Sequence, residues 1–251
     1  MTYLESGRVL KKVTLAPDIF ALHLDTTKIG KNSLPGQFIS LRFPTTYDPY
    51  LRRPFAVADT DGSVVRIVFR IRGRGTSLLS QVKEGEFLSL LGPLGKPAPE
   101  VSDKEIVLVG GGIGIAPLLF LAKSLVKRNK VLLFFGAKTG SEVIMRDDFL
   151  RLGIENIFLA TENGEIGEKG KITDLLIKNR LNEKAIVFAS GPKGMYTELK
   201  KSIPNKIYAF LEERMGCGTG LCLSCAIRKK GGGYFHLCRD GPILDLDTID
   251  L

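Results

Sequence analysis

Two kinds of hydrophobic spacing divide the chain. In its first part, RVLKKVTL, IFALHLDT, QFISLRF, PFAVADT, VVRIVFRI and EFLSLLGPLG carry β-branched and aromatic residues in short runs separated by Pro, Gly, Asn and Asp. That is the pattern of strands joined by turns, and six such runs without a long helical stretch predict a small antiparallel barrel. Pro93, Pro97 and Pro99 in GPLGKPAPE then predict a stiff linker. Beyond it, the apolar runs EIVLVGGG, KVLLFFGAK, NIFLATE and AIVFASGP alternate with helical patterns in PLLFLAKSLVKR and around 145–152, 172–179 and 194–201. Alternation of this kind predicts a parallel sheet covered on both faces. From about Ile207 the composition turns to glycine and cysteine. The expected organisation is a barrel over 1–98, an α/β domain over 99–206 and a small unit over 207–251 held together by what its cysteines bind.

Composition narrows the class. The 251 residues, 44% hydrophobic and 25% charged, describe a soluble globular protein. No apolar run approaches the roughly 20 residues that cross a bilayer, and the N-terminal MTYLESGRVLKK lacks a signal-peptide stretch. A cytoplasmic address without a membrane partner is expected. The net charge of +9 invites a nucleic-acid reading. However, the basic residues are dispersed, tryptophan is absent and no basic block alternates with aromatics. Nucleic acid is therefore not expected as a partner, and a solvated basic surface is the plainer explanation.

The only four cysteines are Cys217, Cys222, Cys225 and Cys238. The spacing C-x4-C-x2-C followed by one later Cys is that of a plant-type [2Fe–2S] centre. A zinc site more often shows two C-x2-C pairs, or one pair with H-x3–5-H. Here only Cys222 and Cys225 form such a pair, and His23 and His236 lack the spacing. Disulfides fit poorly, because a Cys222–Cys225 loop leaves two thiols over. A one-electron centre needs a donor and an acceptor, so the remaining motifs are to be read for redox partners.

Glycine turns supply them. In VGGGIGIAP, Gly111, Gly112 and Gly114 follow a strand and open a helix, with Pro117 expected at its first position. Ser190, Gly191 and Pro192 follow the last apolar strand, where open parallel sheets bind ligands. The turn after the intervening strand offers Lys138 and Ser141 before Glu142, which leaves NAD versus NADP open. In the barrel half, Arg53 precedes a strand, and Gly73, Gly75 and Thr76 in GRGT precede the helix-like SLLSQV, with the Thr76 hydroxyl expected as an anion donor. A surface ion pair is the plainer reading of Arg53 alone. Two phosphate-binding turns imply two nucleotides, or one nucleotide beside another cofactor.

Taken together, RPFA, GRGT, GGGIGIAP and SGP..M resemble the ferredoxin–NADP reductase superfamily. LEERMGCGTGLCLSC and CRDGP narrow the resemblance to the electron-transfer subunits of NAD-dependent dihydroorotate dehydrogenase, over essentially the whole chain. The resemblance implies a Greek-key FAD barrel, a parallel-sheet NAD domain and a C-terminal [2Fe–2S] domain. It assigns Arg53, Pro54, Phe55, Ala56, Phe69, Arg70, Gly73, Gly75 and Thr76 to FAD. Gly111, Gly112, Gly114, Pro117, Ser190, Gly191 and Pro192 are assigned to NAD, and Cys217, Cys222, Cys225 and Cys238 to the metal. Ala56 departs from the usual Ser or Thr, and Ser190 stands where many reductases have Cys. The resemblance further implies an FMN-containing catalytic partner subunit in a two-plus-two heterotetramer, and no residue here that oxidises dihydroorotate itself. Two alternatives are a subunit of an NADH-dependent ferredoxin–NADP oxidoreductase or hydrogenase-type complex, and a zinc-stabilised nucleotide-binding regulator.

Overall fold

The computed structural model describes residues 1–43 and 48–251. The chain divides into two compact units, and each is assembled from separate stretches of sequence.

The first unit contains Met1–Ala98, Glu212–Ile227 and Phe235–Pro242. Its strands β1 (Tyr3–Ala16), β2 (Ile19–Asp25), β3 (Phe38–Arg42), β4 (Arg53–Asp61), β5 (Val64–Arg70) and β6 (Phe87–Leu94) form a closed barrel in the order β1-β2-β5-β4-β3-β6. The pairings are antiparallel, and β6 closes the circle against β1 and β3, so no long edge is left to pair with another chain. Ile19, Ala21, Leu24, Ile39, Val65 and Ile67 are buried. Each side chain of the larger kind contributes about 1.5–3 kcal/mol by leaving water. A single turn, α1 (Ile29–Asn32), and the longer α2 (Arg74–Gln81) lie between strands. The carboxylate of Glu5 accepts from the N–H groups of Thr27, Lys28 and Ile29, and so satisfies the start of α1.

The second unit contains Pro99–Leu211, Arg228–Tyr234 and Ile243–Leu251. It is built on β7 (Glu105–Gly111), β8 (Lys130–Ala137), β9 (Ile157–Thr161), β10 (Glu168–Lys169), β11 (Ile186–Ser190) and β12 (Lys206–Phe210). The helices α3 (Ile115–Leu125), α4 (Arg146–Arg151), α5 (Ile172–Lys178) and α6 (Lys193–Ser202) connect them. β7 and β11 are fully apolar inside (Ile106, Val107, Leu108, Val187, Phe188), as expected for strands covered on both faces.

The C-terminal stretch differs from the expected separate unit over 207–251. Ile207 and Ala209 are buried within β12, which pairs in parallel with β11. After the short ribbon of β13 (Ala226–Arg228) and β14 (Tyr234–His236) and the turn α7 (Leu237–Asp240), β15 (Ile243–Asp245) pairs antiparallel with β12. The sheet order is therefore β10-β9-β8-β7-β11-β12-β15. The cysteine-bearing pieces pack with the barrel instead.

Candidate functional site

Three constellations were expected, and the structure assembles each from residues distant in sequence. In the second unit the chain runs from β7 out through β8, β9 and β10 before returning to the other side of β7 as β11. The gap between β7 and β11 is the topological switch point, where open parallel sheets bind ligands beyond their C-terminal ends. Ser190 pairs with Gly110, so the turns at 111–114 and 190–192 leave the sheet side by side. A Cβ on Gly114 would lie 2.2 Å from the Ser190 carbonyl oxygen, and one on Gly111 would lie 2.9 Å from Pro192 Cδ. Both glycines therefore serve the close approach of the two turns. Gly112 differs, because it adopts φ 55 with open space around its missing Cβ, which fits a phosphate brought close to the backbone.

Two NAD assignments need correction in detail. α3 begins at Ile115, so Pro117 is its third residue rather than its first. Proline is tolerated there because first-turn N–H groups have no partner within the helix, and the Pro117 ring is buried. Gly191 does not hold its N–H free for a ligand, since it donates to the Tyr196 hydroxyl at 3.0 Å. That buried hydroxyl in turn donates to the Phe210 carbonyl at the end of β12.

In the barrel, Arg53 opens β4 and crosses the start of α2, where a Cβ on Gly75 would lie 2.7 Å from Arg53 Nε. The guanidinium also donates to the Leu51 carbonyl. Gly75 thus makes room for Arg53, and the two motifs meet. Gly73 has extended backbone, and among the described residues nothing lies within 4 Å of its missing Cβ. Thr76 is corrected from an anion donor to a turn-former. Its Oγ accepts from Arg72 N at 2.8 Å and donates to Gly73 O at 3.0 Å, which leaves the helix-start N–H groups for an anion.

Pro54, Phe55 and Ala56 are half-buried opposite Ser40, Ile39 and Phe38 of β3. Phe69 is a core residue, 2% exposed, stacked on Phe20 at 5.7 Å and edge-on to Phe55 at 5.9 Å. Arg70 Nε pairs with Asp18 at 3.2 Å.

The cysteines gather in two pairs. Cys217 N and Cys222 N each point to the other's sulfur at 3.4 Å, while Cys225 Sγ and Cys238 Sγ stand 3.3 Å apart. Among the described residues no three His, Cys, Asp or Glu side chains converge on one ion position. Two pairs of thiols suit two irons bridged by sulfide, each iron taking two protein ligands. Backbone N–H groups of Thr219, Gly220 and Cys238 also point at sulfur, at 3.3, 3.1 and 3.4 Å. Gly218 and Gly220 reach this wrapping through φ 73 and φ 87.

Electrostatics split the thiols. Burial pushes the Cys217 thiol up, but hydrogen bonds from Thr219 and Cys222 outweigh it and bring it down to about 5. Hydrogen bonding by Ser224 lowers Cys222. Burial, then the neighbouring Cys225, raises Cys238 to about 12. The CRDGP turn holds Cys238 in place: Asp240 accepts from His236 N at 2.8 Å and pairs with Arg239, whose stem packs on Gly220. The donor set fits a cluster.

Within this unit, the cysteine loop lies over the barrel. A Cβ on Gly218 would sit 3.5 Å from Leu94 and 3.9 Å from Ser40. Ser40 is the cross-strand partner of Pro54.

Two family models match the chain. The iron–sulfur cluster binding domain of dihydroorotate dehydrogenase B matches residues 212–250, and the oxidoreductase NAD-binding domain matches 108–201. The electron transfer subunit of dihydroorotate dehydrogenase B (NAD(+)) from Geobacillus kaustophilus is 37% identical, over 98% of both chains. The chain belongs to the family of dihydroorotate dehydrogenase B electron transfer subunits.

The protein of the same description from Caldanaerobacter subterraneus subsp. tengcongensis is 36% identical, over 99% of both chains. A chain from the structure of an NADH-dependent reduced ferredoxin–NADP oxidoreductase superposes with a TM-score of 0.89 at 32% identity, covering 97% of this chain and 89% of that one. In this dihydroorotate dehydrogenase B subunit family member, sequence reasoning missed Tyr196, Ser224 and Arg52. Arg52 donates to Ser89 O and Oγ, both at 2.8 Å, and braces the approach to β4. None of the three belongs to a spaced motif; a serine between two ligand cysteines was the one available signal.

Proposed function

We propose that this chain carries electrons from an FMN-containing, dihydroorotate-oxidising partner subunit, through a [2Fe–2S] cluster and FAD, to NAD+ in pyrimidine (UMP) biosynthesis. The partner assembly is a two-plus-two heterotetramer in the cytoplasm. Among the described residues no helix is long and apolar enough to cross a membrane. In this reading the barrel of 1–98 serves FAD, the sheet built on 99–211 serves NAD, and 212–227 with 235–242 hold the cluster.

The observation that carries this reading is the seat of the cysteine loop on the barrel: Gly218, next to Cys217, lies over Ser40, which pairs with Pro54 in the expected flavin stretch. Cluster ligands and flavin residues thus share one unit. Bound FAD supplies the exchange between hydride pairs and single electrons. The protein's own residues bind and orient. Arg53 and the first turn of α2 offset flavin phosphate charge, aided by Arg70, and Phe55 and Ala56 line the approach. Gly112 lets the dinucleotide phosphates reach the start of α3, and the 190–192 turn, held by Tyr196, flanks the nicotinamide side. Cys217, Cys222, Cys225 and Cys238 hold the irons.

The likeness to the NADH-dependent ferredoxin–NADP oxidoreductase chain favours a second reading, in which the same cofactors serve a ferredoxin-linked complex. The test begins with the isolated chain. It should contain iron, acid-labile sulfide and flavin, pass electrons from NADH to an artificial acceptor, and leave dihydroorotate untouched. Iron and sulfide missing from anaerobically prepared protein would overturn the cluster assignment. Dihydroorotate oxidation by the chain alone would overturn the subunit assignment.

A further inference from the structure

The two pairs of thiols are not equally served by donors. Cys217 Sγ accepts from Thr219 N at 3.3 Å and from Cys222 N at 3.4 Å. Cys222 Sγ accepts from Cys217 N at 3.4 Å and lies 3.2 Å from the Ser224 hydroxyl. On the other side, Cys225 accepts from Cys238 N at 3.4 Å and Cys238 from Gly220 N at 3.1 Å, and both side chains are buried. Hydrogen bonds to ligand sulfur and solvent exposure both stabilise the extra negative charge of a reduced cluster.

Ser224 is the member of this set that is open to change. A backbone N–H cannot be removed without altering the chain, whereas a hydroxyl can. Its orientation is constrained from behind, because Gly216 N donates to Ser224 Oγ at 3.0 Å. That occupies a lone pair and leaves the O–H to point elsewhere. A metal-bound thiolate has no proton to give, so at the 3.2 Å contact the serine is the donor once iron is held. Leu223, between the two, adopts φ 58, a left-handed backbone that residues with a Cβ rarely take. That turn brings Ser224 alongside Cys222.

We propose that Ser224 sets the reduction potential of the cluster that the four cysteines would hold, by donating to Cys222 Sγ. The inference rests on the reading of the four cysteines as cluster ligands. It adds a named residue that poises the cluster between its electron donor and the flavin.

The experiment uses the full chain with its cofactors, as wild type and as Ser224→Ala and Ser224→Thr. Iron and sulfide content establish that each holds a cluster, and a redox titration followed by EPR gives the potential. Ser224→Ala should make the cluster harder to reduce. At a fixed poise its oxidised-to-reduced ratio should rise on the order of threefold to tenfold, the larger figure being about 59 mV for one electron. Ser224→Thr keeps the hydroxyl and should stay near wild type, and flavin reduction by NADH should be the same in all three. Should alanine disturb the loop, threonine against the isosteric Ser224→Val makes the same comparison. Equal potentials in cluster-replete variants with and without the hydroxyl would overturn the inference. A wild-type chain without iron and sulfide would instead remove the cluster reading beneath it.

Discussion

Replacing Gly114 with alanine tests how the two turns of the dinucleotide site are held together. A Cβ at this position would lie 2.2 Å from the Ser190 carbonyl oxygen, 2.5 Å from its carbon and 2.8 Å from Gly191 N. Carbon and carbonyl oxygen ordinarily approach to about 3.3–3.6 Å, so the methyl overlaps the neighbouring turn by roughly 1 Å. The obstructing atoms are backbone at the end of β11 and cannot rotate away as a side chain would. Relief requires moving α3 or the 190–192 turn, an overpacking cost of about 1–3 kcal/mol. Two readouts follow: a lower thermal midpoint, and a raised KM for NADH in the artificial-acceptor assay, because separated turns no longer present one surface to the dinucleotide. Gly112→Ala is the control. Its Cβ meets open space and its φ of 55 costs about 1–2 kcal/mol, so it should weaken NADH chiefly by placing a methyl where phosphate approaches. Unchanged stability and KM in Gly114→Ala would refute the argument that the turns are packed backbone to backbone.

Arg53→Ala should weaken FAD retention by about 1.5–3 kcal/mol, the worth of a charge-assisted bond, in a flavin-release titration; unchanged affinity would mean that Arg53 only braces Leu51 and α2. Cys222→Ser should lose or destabilise the cluster while flavin stays bound, read from iron content and the visible spectrum; equal loss of flavin would show that the loop is needed to hold it. In cluster-free protein, Cys217, held at about 5, is thiolate above that pH, and thiolate is the nucleophile. Its alkylation rate should be flat from pH 6 to 8 and fall as pH drops through about 5, whereas Cys238, raised to about 12, should react only in strong alkali; mass spectrometry of the modified sites decides it.

The barrel strands were legible because their signal is local: alternation and turn residues such as those around VVRIVFRI determine a strand without reference to its partner. The nucleotide sheet was legible for the same reason. What spacing does not carry is long-range pairing. Ile207–Phe210 reads as the start of a glycine- and cysteine-rich tail, yet it joins β11, and Ile243–Asp245 returns to its far edge. The cysteine spacing singled out four candidate ligands, but not their seat on the barrel beside Ser40, which depends on tertiary contact. Thr76 illustrates a different limit. A hydroxyl at a helix start can serve a ligand or its own turn, and only the bonds to Arg72 and Gly73 distinguish them. The resemblance assigns Phe69 to the flavin, and the stack its ring makes with Phe20 is a contact that sequence does not reveal.

The central claim is that this chain passes electrons from a separate dihydroorotate-oxidising subunit to NAD+ by way of its four-cysteine centre. Its most direct test is NADH formation from dihydroorotate and NAD+, measured with the chain alone, with an FMN-bearing dihydroorotate dehydrogenase catalytic subunit added, and with that subunit plus the Cys222→Ser variant. The account predicts no NADH from the chain alone, formation with the partner, and loss of coupling in the variant while NADH still reduces the flavin. Turnover without the partner, or coupling that survives removal of the cluster, would contradict it.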